Sequence, residues 1–128
     1  MNPKDLKYTE SHEWVKVTGK IARIGISQYA QQQLGDIVYV ELPSVGAKLS
    51  PKGQIGVVES VKTVSDVYSP VGGTVTATNG KLASDPALVN QDPYGDGWIV
   101  EIEMDAPADV NNLLDAAAYE KHCAEHGH

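Results

Sequence analysis

The chain has 128 residues, with 17 acidic and 10 basic side chains and a formal net charge of -7. This length suits one domain and is too short for two, so we expect a single domain over residues 1–128. Such an acidic chain repels nucleic acid and anionic lipid, and we expect neither as a partner; proteins with basic docking faces fit better. No apolar run approaches the ~18 residues of a membrane span.

The first residues, Met1 to Leu6, lack the apolar stretch of a secretory signal and the Arg/Ser-rich character of a transit peptide. We therefore expect a cytoplasmic protein, or a mitochondrial one if this sequence is a processed form. The single cysteine, Cys123, excludes an internal disulfide. Phe is absent, and the aromatic residues are 6 Tyr and 2 Trp, so the core should be aliphatic.

Short apolar and β-branched runs predict a series of strands. They cover residues 8–17, 21–26, 36–42, 54–59, 74–78 and 98–104, and another follows a turn at 60–63. Alternation places Val38, Val40 and Leu42 on one face of the third run. The apolar face of the last run comprises Trp98, Val100, Ile102 and Met104. Strands this short, with closely spaced turns, predict a small barrel or sandwich.

Helices are predicted between and after these strands. Ser27 is a good N-cap for a short helix that Gly35 should end. Asp115 should cap a C-terminal helix in which Tyr119 and Cys123 share a face packed on the barrel. The other helical segments are a turn or two within 79–90 and a short helix from about 107 to 114. The β-rich core thus spans about 8–104 and the helical tail about 107–125.

The turn around Lys62 does not have the usual hairpin chemistry. Two-residue hairpin turns favour Asn-Gly, Asp-Gly or Gly because they need φ > 0, whereas this tip offers Val61-Lys62. Either the loop is longer, or its residues serve something other than folding. A lone exposed lysine is usually just solvated, but a protruding hairpin is also how a chain presents an amine to a modifying enzyme.

The surrounding residues favour the second interpretation. The segment Glu59-Ser60-Val61-Lys62-Thr63-Val64-Ser65-Asp66-Val67-Tyr68-Ser69-Pro70-Val71-Gly72-Gly73 closely resembles the lipoyl-lysine segment of the glycine cleavage system H protein family. Further matches lie at 8–15, 24–43 and 90–98. The resemblance implies a mainly β barrel-sandwich hybrid of the lipoyl/biotinyl type, with a short internal helix and C-terminal helices. It also implies lipoate amide-linked to Lys62.

The resemblance implies a non-catalytic carrier in glycine catabolism. A pyridoxal-phosphate glycine decarboxylase (P protein) would load an aminomethyl group onto the lipoyl arm. A tetrahydrofolate-dependent aminomethyltransferase (T protein) would remove it, and dihydrolipoyl dehydrogenase (L protein) would reoxidise the dithiol. A lipoate-attaching enzyme is a fourth partner, and we expect the carrier to be a monomer.

Three polar residues match a family cleft that receives the loaded arm: Ser11, Glu13 and Asp66. Without the resemblance, Glu13 would be interpreted as a surface carboxylate at a strand start. Carboxylates suit a cationic aminomethyl group through charge-assisted hydrogen bonds. Some family members have a histidine where this chain has Gln33, so a histidine contribution is not expected here.

Other interpretations are weaker. His122, His126 and His128 resemble a metal tract, but no third and fourth ligand is evident nearby, and Cys123 lacks the surroundings of a nucleophile. Biotin domains usually have methionines beside the lysine, and 2-oxo acid dehydrogenase lipoyl domains an Asp before it. A carrier of another complex or a lipoate-relay protein stays an alternative, whereas an enzyme using Glu13 and Asp66 lacks a pocket signature.

Overall fold

The structure is a computed structural model that describes residues 5–126, except for the side chains of Pro107, Asp109, Glu125 and His126. The strands of the described residues are β1 Lys7–Tyr8, β2 Glu13–Thr18, β3 Ile21–Ile26, β4 Ile37–Glu41, β5 Lys48–Leu49, β6 Gln54–Ser60, β7 Val64–Tyr68, β8 Gly73–Thr78 and β9 Val100–Met104. The helices are α1 Gln28–Leu34, α2 Lys81–Ser84, α3 Leu88–Gln91, a 3-10 helix Pro107–Asn112 and α4 Ala116–His126.

The strands form two antiparallel sheets. One has six strands in the order β1-β2-β3-β9-β8-β5, and the other has three in the order β4-β6-β7. Aliphatic side chains from both sheets, among them Ile24, Val58, Val67 and Ile102, meet in one buried cluster. The predicted mainly β fold with an aliphatic core is therefore present.

Local capping explains where α1 and α4 begin. The Ser27 hydroxyl accepts a hydrogen bond from the Ala30 amide at 3.1 Å, and Asp115 accepts one from the Ala118 amide at 2.8 Å. Gly35, with φ 81° and ψ -155°, ends α1 in a conformation that is essentially restricted to glycine. These three predictions are confirmed.

A second buried cluster holds α4 against the N-terminal strands. Tyr8 and Tyr119 stack with ring centroids 4.6 Å apart, and Trp14 completes the buried aromatic group. Tyr119 is buried and Cys123 is partly buried against this cluster, so their predicted packing is confirmed. Because α4 packs against residues of β1 and β2, it lies close to the loop that connects those strands.

Four details differ from prediction. The run 8–17 is interrupted by a turn at 9–12, and the segment predicted as a helix at 107–114 contains a 3-10 helix. A register shift between Ile37 and Tyr39 turns Val38 outward, 53% exposed, although Val40 is buried. Trp98 precedes β9 and joins the second cluster rather than the face of that strand. The outward position of Val38 follows from this β-bulge, because a bulge reverses the side-chain alternation beyond it.

The longest described helix, α4, has 11 residues. None of the helices in the described part of the chain has the length and apolar character that crossing a bilayer requires.

Candidate functional site

The hairpin between β6 and β7 is closed by a serine side chain. The Ser60 hydroxyl accepts hydrogen bonds from the amides of Lys62, at 3.2 Å, and Thr63, at 3.1 Å. The Ser60 amide donates to the Thr63 carbonyl at 2.8 Å. Non-glycine residues with positive φ within the described chain are His12 and Lys52, so Val61 and Lys62 turn without the left-handed backbone of the favoured hairpins. The hydrogen bonds of the Ser60 side chain therefore stabilise a turn that lacks the glycine-type backbone of the favoured hairpins.

The tip of this hairpin presents two exposed side chains. Val61 is 67% exposed and Lys62 is exposed. The aliphatic end of Lys62 lies beside the Gly35 backbone, because a Cβ built on Gly35 would be 3.2 Å from Lys62 Cε and 3.8 Å from Nζ. The amine is therefore at the surface, next to the end of α1.

A cavity of about 290 Å³ lies beside α1, between the loop preceding β2 and strand β7. Its lining brings together the three residues predicted from sequence, two from the segment that enters β2 and one from β7. They are Ser11, Glu13 and Asp66. Gln33, which replaces the histidine that some family members have, also lines this cavity.

Glu13 is the buried carboxylate of the site, with 1% exposure. Its Oε1 accepts from the hydroxyls of Thr9, at 2.6 Å, and Ser11, at 2.5 Å. Its Oε2 accepts from the Tyr68 amide at 3.2 Å. Burial raises the pKa of the Glu13 carboxyl, and these hydrogen bonds oppose the rise. Because Oε2 has one protein donor in the described contacts, it retains accepting capacity for a further donor.

Asp66 lies on β7 in a more exposed position. Its two oxygens accept from Gln54 Nε2 at 3.0 Å and from the Tyr68 hydroxyl at 3.3 Å. The charge of Asp66 raises the pKa of the Tyr68 hydroxyl, and their hydrogen bond adds to the effect. The cavity thus has one buried and one solvent-exposed carboxylate.

His12 also lines the cavity and was not identified from sequence. Its φ of 76° is unusual for a residue with a side chain. Its Nδ1 is 2.8 Å from the Tyr119 hydroxyl, and its ring lies 4.8 Å from that of Tyr29. Burial, with a smaller contribution from nearby His122, lowers the pKa of His12. At neutral pH His12 therefore lines the cavity as a polar, uncharged side chain.

A second cavity, of about 650 Å³, shares Ser11 and Glu13 with the first. Its other lining residues include Lys52, Tyr68 and Asn112. The Glu13 carboxylate thus forms part of the boundary between two concave surfaces.

The histidine tract does not form a metal site within the described residues. His122 Nε2 lies 3.1 Å from the Glu10 carbonyl, and no group of three or more His, Cys, Asp or Glu side chains among the described residues is placed to hold a metal ion. The side chain of His126 and the whole of His128 lie outside the described residues.

A small two-sheet β fold with a lysine at a hairpin tip is typical of carrier proteins of the lipoyl/biotinyl type. The family model of the glycine cleavage H-protein matches residues 6–126. The glycine cleavage system H protein of Symbiobacterium thermophilum is 58% identical over 118 residues, covering 92% of each chain. The mitochondrial H protein of Oryza sativa subsp. indica is 51% identical over 120 residues, covering 94% of this chain and 73% of its own.

The fold agrees with these similarities. The crystal structure of a glycine cleavage system H protein from Mycobacterium marinum superposes with a TM-score of 0.86 at 36% identity, covering 99% of this chain and 100% of that one. The chain belongs to the glycine cleavage H-protein family, whose members are the non-catalytic lipoyl carriers of the glycine cleavage system. The predicted family, fold class and carrier function are confirmed.

Proposed function

We propose that Lys62 carries the lipoyl group, in amide linkage to Nζ. The observation that supports this most directly is the placement of Lys62, exposed at the tip of a hairpin that Ser60 closes. Attachment converts an ammonium into an amide, which takes the formal net charge from -7 to -8. A lysyl-lipoyl arm reaches on the order of 14 Å at ~1.5 Å per bond, so its end can enter a cleft while the carrier stays docked outside.

We further propose that the cavity containing Ser11, Glu13 and Asp66 receives the aminomethyl-loaded arm. The loaded group is a cation, and two carboxylates of different burial line the cavity. Glu13 Oε2 has accepting capacity for an ammonium, and a charge-assisted bond in a buried site is stronger than one in water. When attached, lipoate supplies the dithiolane chemistry; the residues of this chain bind, orient and shield the arm.

The partners that follow are the glycine decarboxylase, the aminomethyltransferase, the dihydrolipoyl dehydrogenase and a lipoate-attaching enzyme. We propose that the chain meets them as a monomeric single domain, with its acidic surface steering it onto basic rims. Steering of this kind weakens with salt, since the Debye length is ~10 Å at 0.1 M.

The test begins with the attachment site. Intact-mass and peptide mass spectrometry on protein from lipoate-fed cells should place one lipoyl group on Lys62, and the Lys62→Arg variant should carry none. A lipoyl group that persists in Lys62→Arg contradicts the assignment.

The second measurement separates carriers by their client enzymes. Lipoylated protein should support exchange of glycine's carboxyl carbon with bicarbonate by the decarboxylase. The unlipoylated form should be inactive yet compete, and both effects should weaken with ionic strength. A 2-oxo acid dehydrogenase first component should load the lipoylated form poorly. Efficient loading there, with background glycine exchange, would instead support the carrier of another complex.

A further inference from the structure

Asn90, on α3, uses its side chain to hold the corner between α1 and β4. The Ile37 amide donates to Asn90 Oδ1 at 2.8 Å. Asn90 Nδ2 donates to the Gly35 carbonyl at 2.8 Å and to Gln31 Oε1 at 2.9 Å. Both amide hydrogens and the carbonyl oxygen of this side chain are therefore engaged at one corner.

That corner carries the lysine-bearing hairpin. The Val61 amide donates to the Asp36 carbonyl at 3.1 Å, and Asp36 lies between Gly35 and Ile37, the two residues whose backbone Asn90 binds. The aliphatic end of Lys62 rests beside Gly35, whose missing side chain leaves room for it. Hydrogen bonds and the intervening backbone of residues 35–37 thus connect Asn90 to Val61, the residue before Lys62.

We propose that Asn90 is a positioning residue for lipoyl attachment, fixing the corner on which the Val61-Lys62 turn rests and hence the direction in which the amine is presented. The inference rests on the proposed attachment of lipoate at Lys62. Asn90 touches no reacting atom and acts through Gly35, Asp36 and Val61.

The chemistry of attachment explains why direction matters. An adenylate-forming ligase uses ATP to activate the lipoate carboxyl as an acyl-adenylate, releasing pyrophosphate. The deprotonated Nζ then attacks the carboxyl carbon, the C–N bond forms, the C–O bond to AMP breaks, and the amine proton passes to a base. Attack requires Nζ at a near-attack distance and angle, and a misplacement of about 1 Å can cost ~100-fold in rate.

The chain offers a matched control in Asn79. Its Nδ2 donates to the carbonyls of Asp96, at 2.7 Å, and Trp98, at 2.8 Å. Its Oδ1 accepts from the Lys81 amide at 3.3 Å. Asn79 therefore also engages both amide hydrogens and its carbonyl oxygen, here with backbone groups alone, and none of these partners lies in the hairpin.

The experiment compares Asn90→Ala with Asn79→Ala, each as the full chain, using a lipoate–protein ligase with lipoate and ATP. Asn90→Ala should lower kcat for lipoylation at least tenfold while KM for the carrier changes less than threefold, because the docking surface is intact. Asn79→Ala should leave kcat within twofold. Hydrogen exchange by NMR should show the Val61 amide exchanging at least tenfold faster in Asn90→Ala only.

Other outcomes overturn the inference. It fails if folded Asn90→Ala keeps the wild-type kcat or the wild-type exchange rate of the Val61 amide, or if the two variants lose kcat equally. Should Asn90→Ala not fold, Asn90→Asp retains the acceptor for Ile37 and removes both donors, so the same comparison applies. Failure of wild-type Lys62 to be lipoylated would contradict the proposed attachment instead, and Val61 exchange would still decide whether Asn90 holds the turn.

Discussion

If the cavity receives the loaded arm as proposed, the difference in burial between Glu13 and Asp66 predicts how strongly each carboxylate protects that arm. Glu13→Gln and Asp66→Asn each remove one charge and keep the side-chain shape. Glu13 is 1% exposed, whereas Asp66 is exposed. A hydrogen bond to a charged group is worth about 1.5–3 kcal/mol, whereas an exposed ion pair is worth about 0.2–1 kcal/mol.

These energies convert into rates if the aminomethyl group breaks down only while the arm is undocked. At about 1.4 kcal/mol per tenfold, Glu13→Gln should raise spontaneous ammonia release by ~10- to 150-fold. Asp66→Asn should raise it by no more than ~5-fold on the same scale. The order of the two effects follows from the difference in burial.

The assay loads the lipoylated protein with glycine and the decarboxylase, removes the enzyme, and follows ammonia release with time. Glu41→Gln, on β4, is the matched control, because it removes one exposed charge away from the cavity. Lipoylation of all variants should be unchanged by mass spectrometry. Equal release from all three variants, or a larger effect of Asp66→Asn than of Glu13→Gln, would refute the reasoning.

Three further predictions concern stability. Folding raises the pKa of Glu13 above its ordinary 4.5, so the native state binds more protons than the unfolded state. This group therefore lowers the free energy of unfolding as pH rises from 4.5 through the folded pKa. Urea titrations of Glu13→Gln should show a shallower decline of that free energy with pH. Gly25→Ala would place a Cβ 2.7 Å from the Trp14 indole nitrogen and should cost about 1–3 kcal/mol, whereas Gly80→Ala, with open space around it, should not. Asp115→Ala removes the α4 cap and should cost about 0.5–2 kcal/mol by thermal unfolding.

Features with local causes were predictable from sequence. Ser27 and Gly35 bound α1, and Asp115 caps α4, because capping depends on residues within one turn. The lysine hairpin was placed correctly between two β-branched runs. The hydrogen bonds by which Ser60 closes the turn were not predicted. A serine at the start of a turn is nevertheless a signal for side-chain bonding to the backbone.

Features that depend on distant partners were not predictable. The outward side chain of Val38 results from a bulge in the pairing of β4 with β6, which the alternation within β4 does not reveal. The positive φ of His12 interrupts what looked like one strand. The side chain of Asn90 bonds residues 53 to 59 positions earlier in the chain, so these contacts could not be derived from its neighbours in sequence.

The Tyr119 hydroxyl has a consequence for the order of folding. It lies 2.6 Å from Ser27 Oγ, 92 positions earlier, and 2.8 Å from His12 Nδ1, 107 positions earlier. Contacts of such high sequence separation require closure of a long loop and form slowly. A nascent chain that has not yet released α4 from the ribosome lacks this link between the start of α1 and the loop before β2. His12, which lines the cavity, therefore gains its Tyr119 partner only once the last described helix has been synthesised.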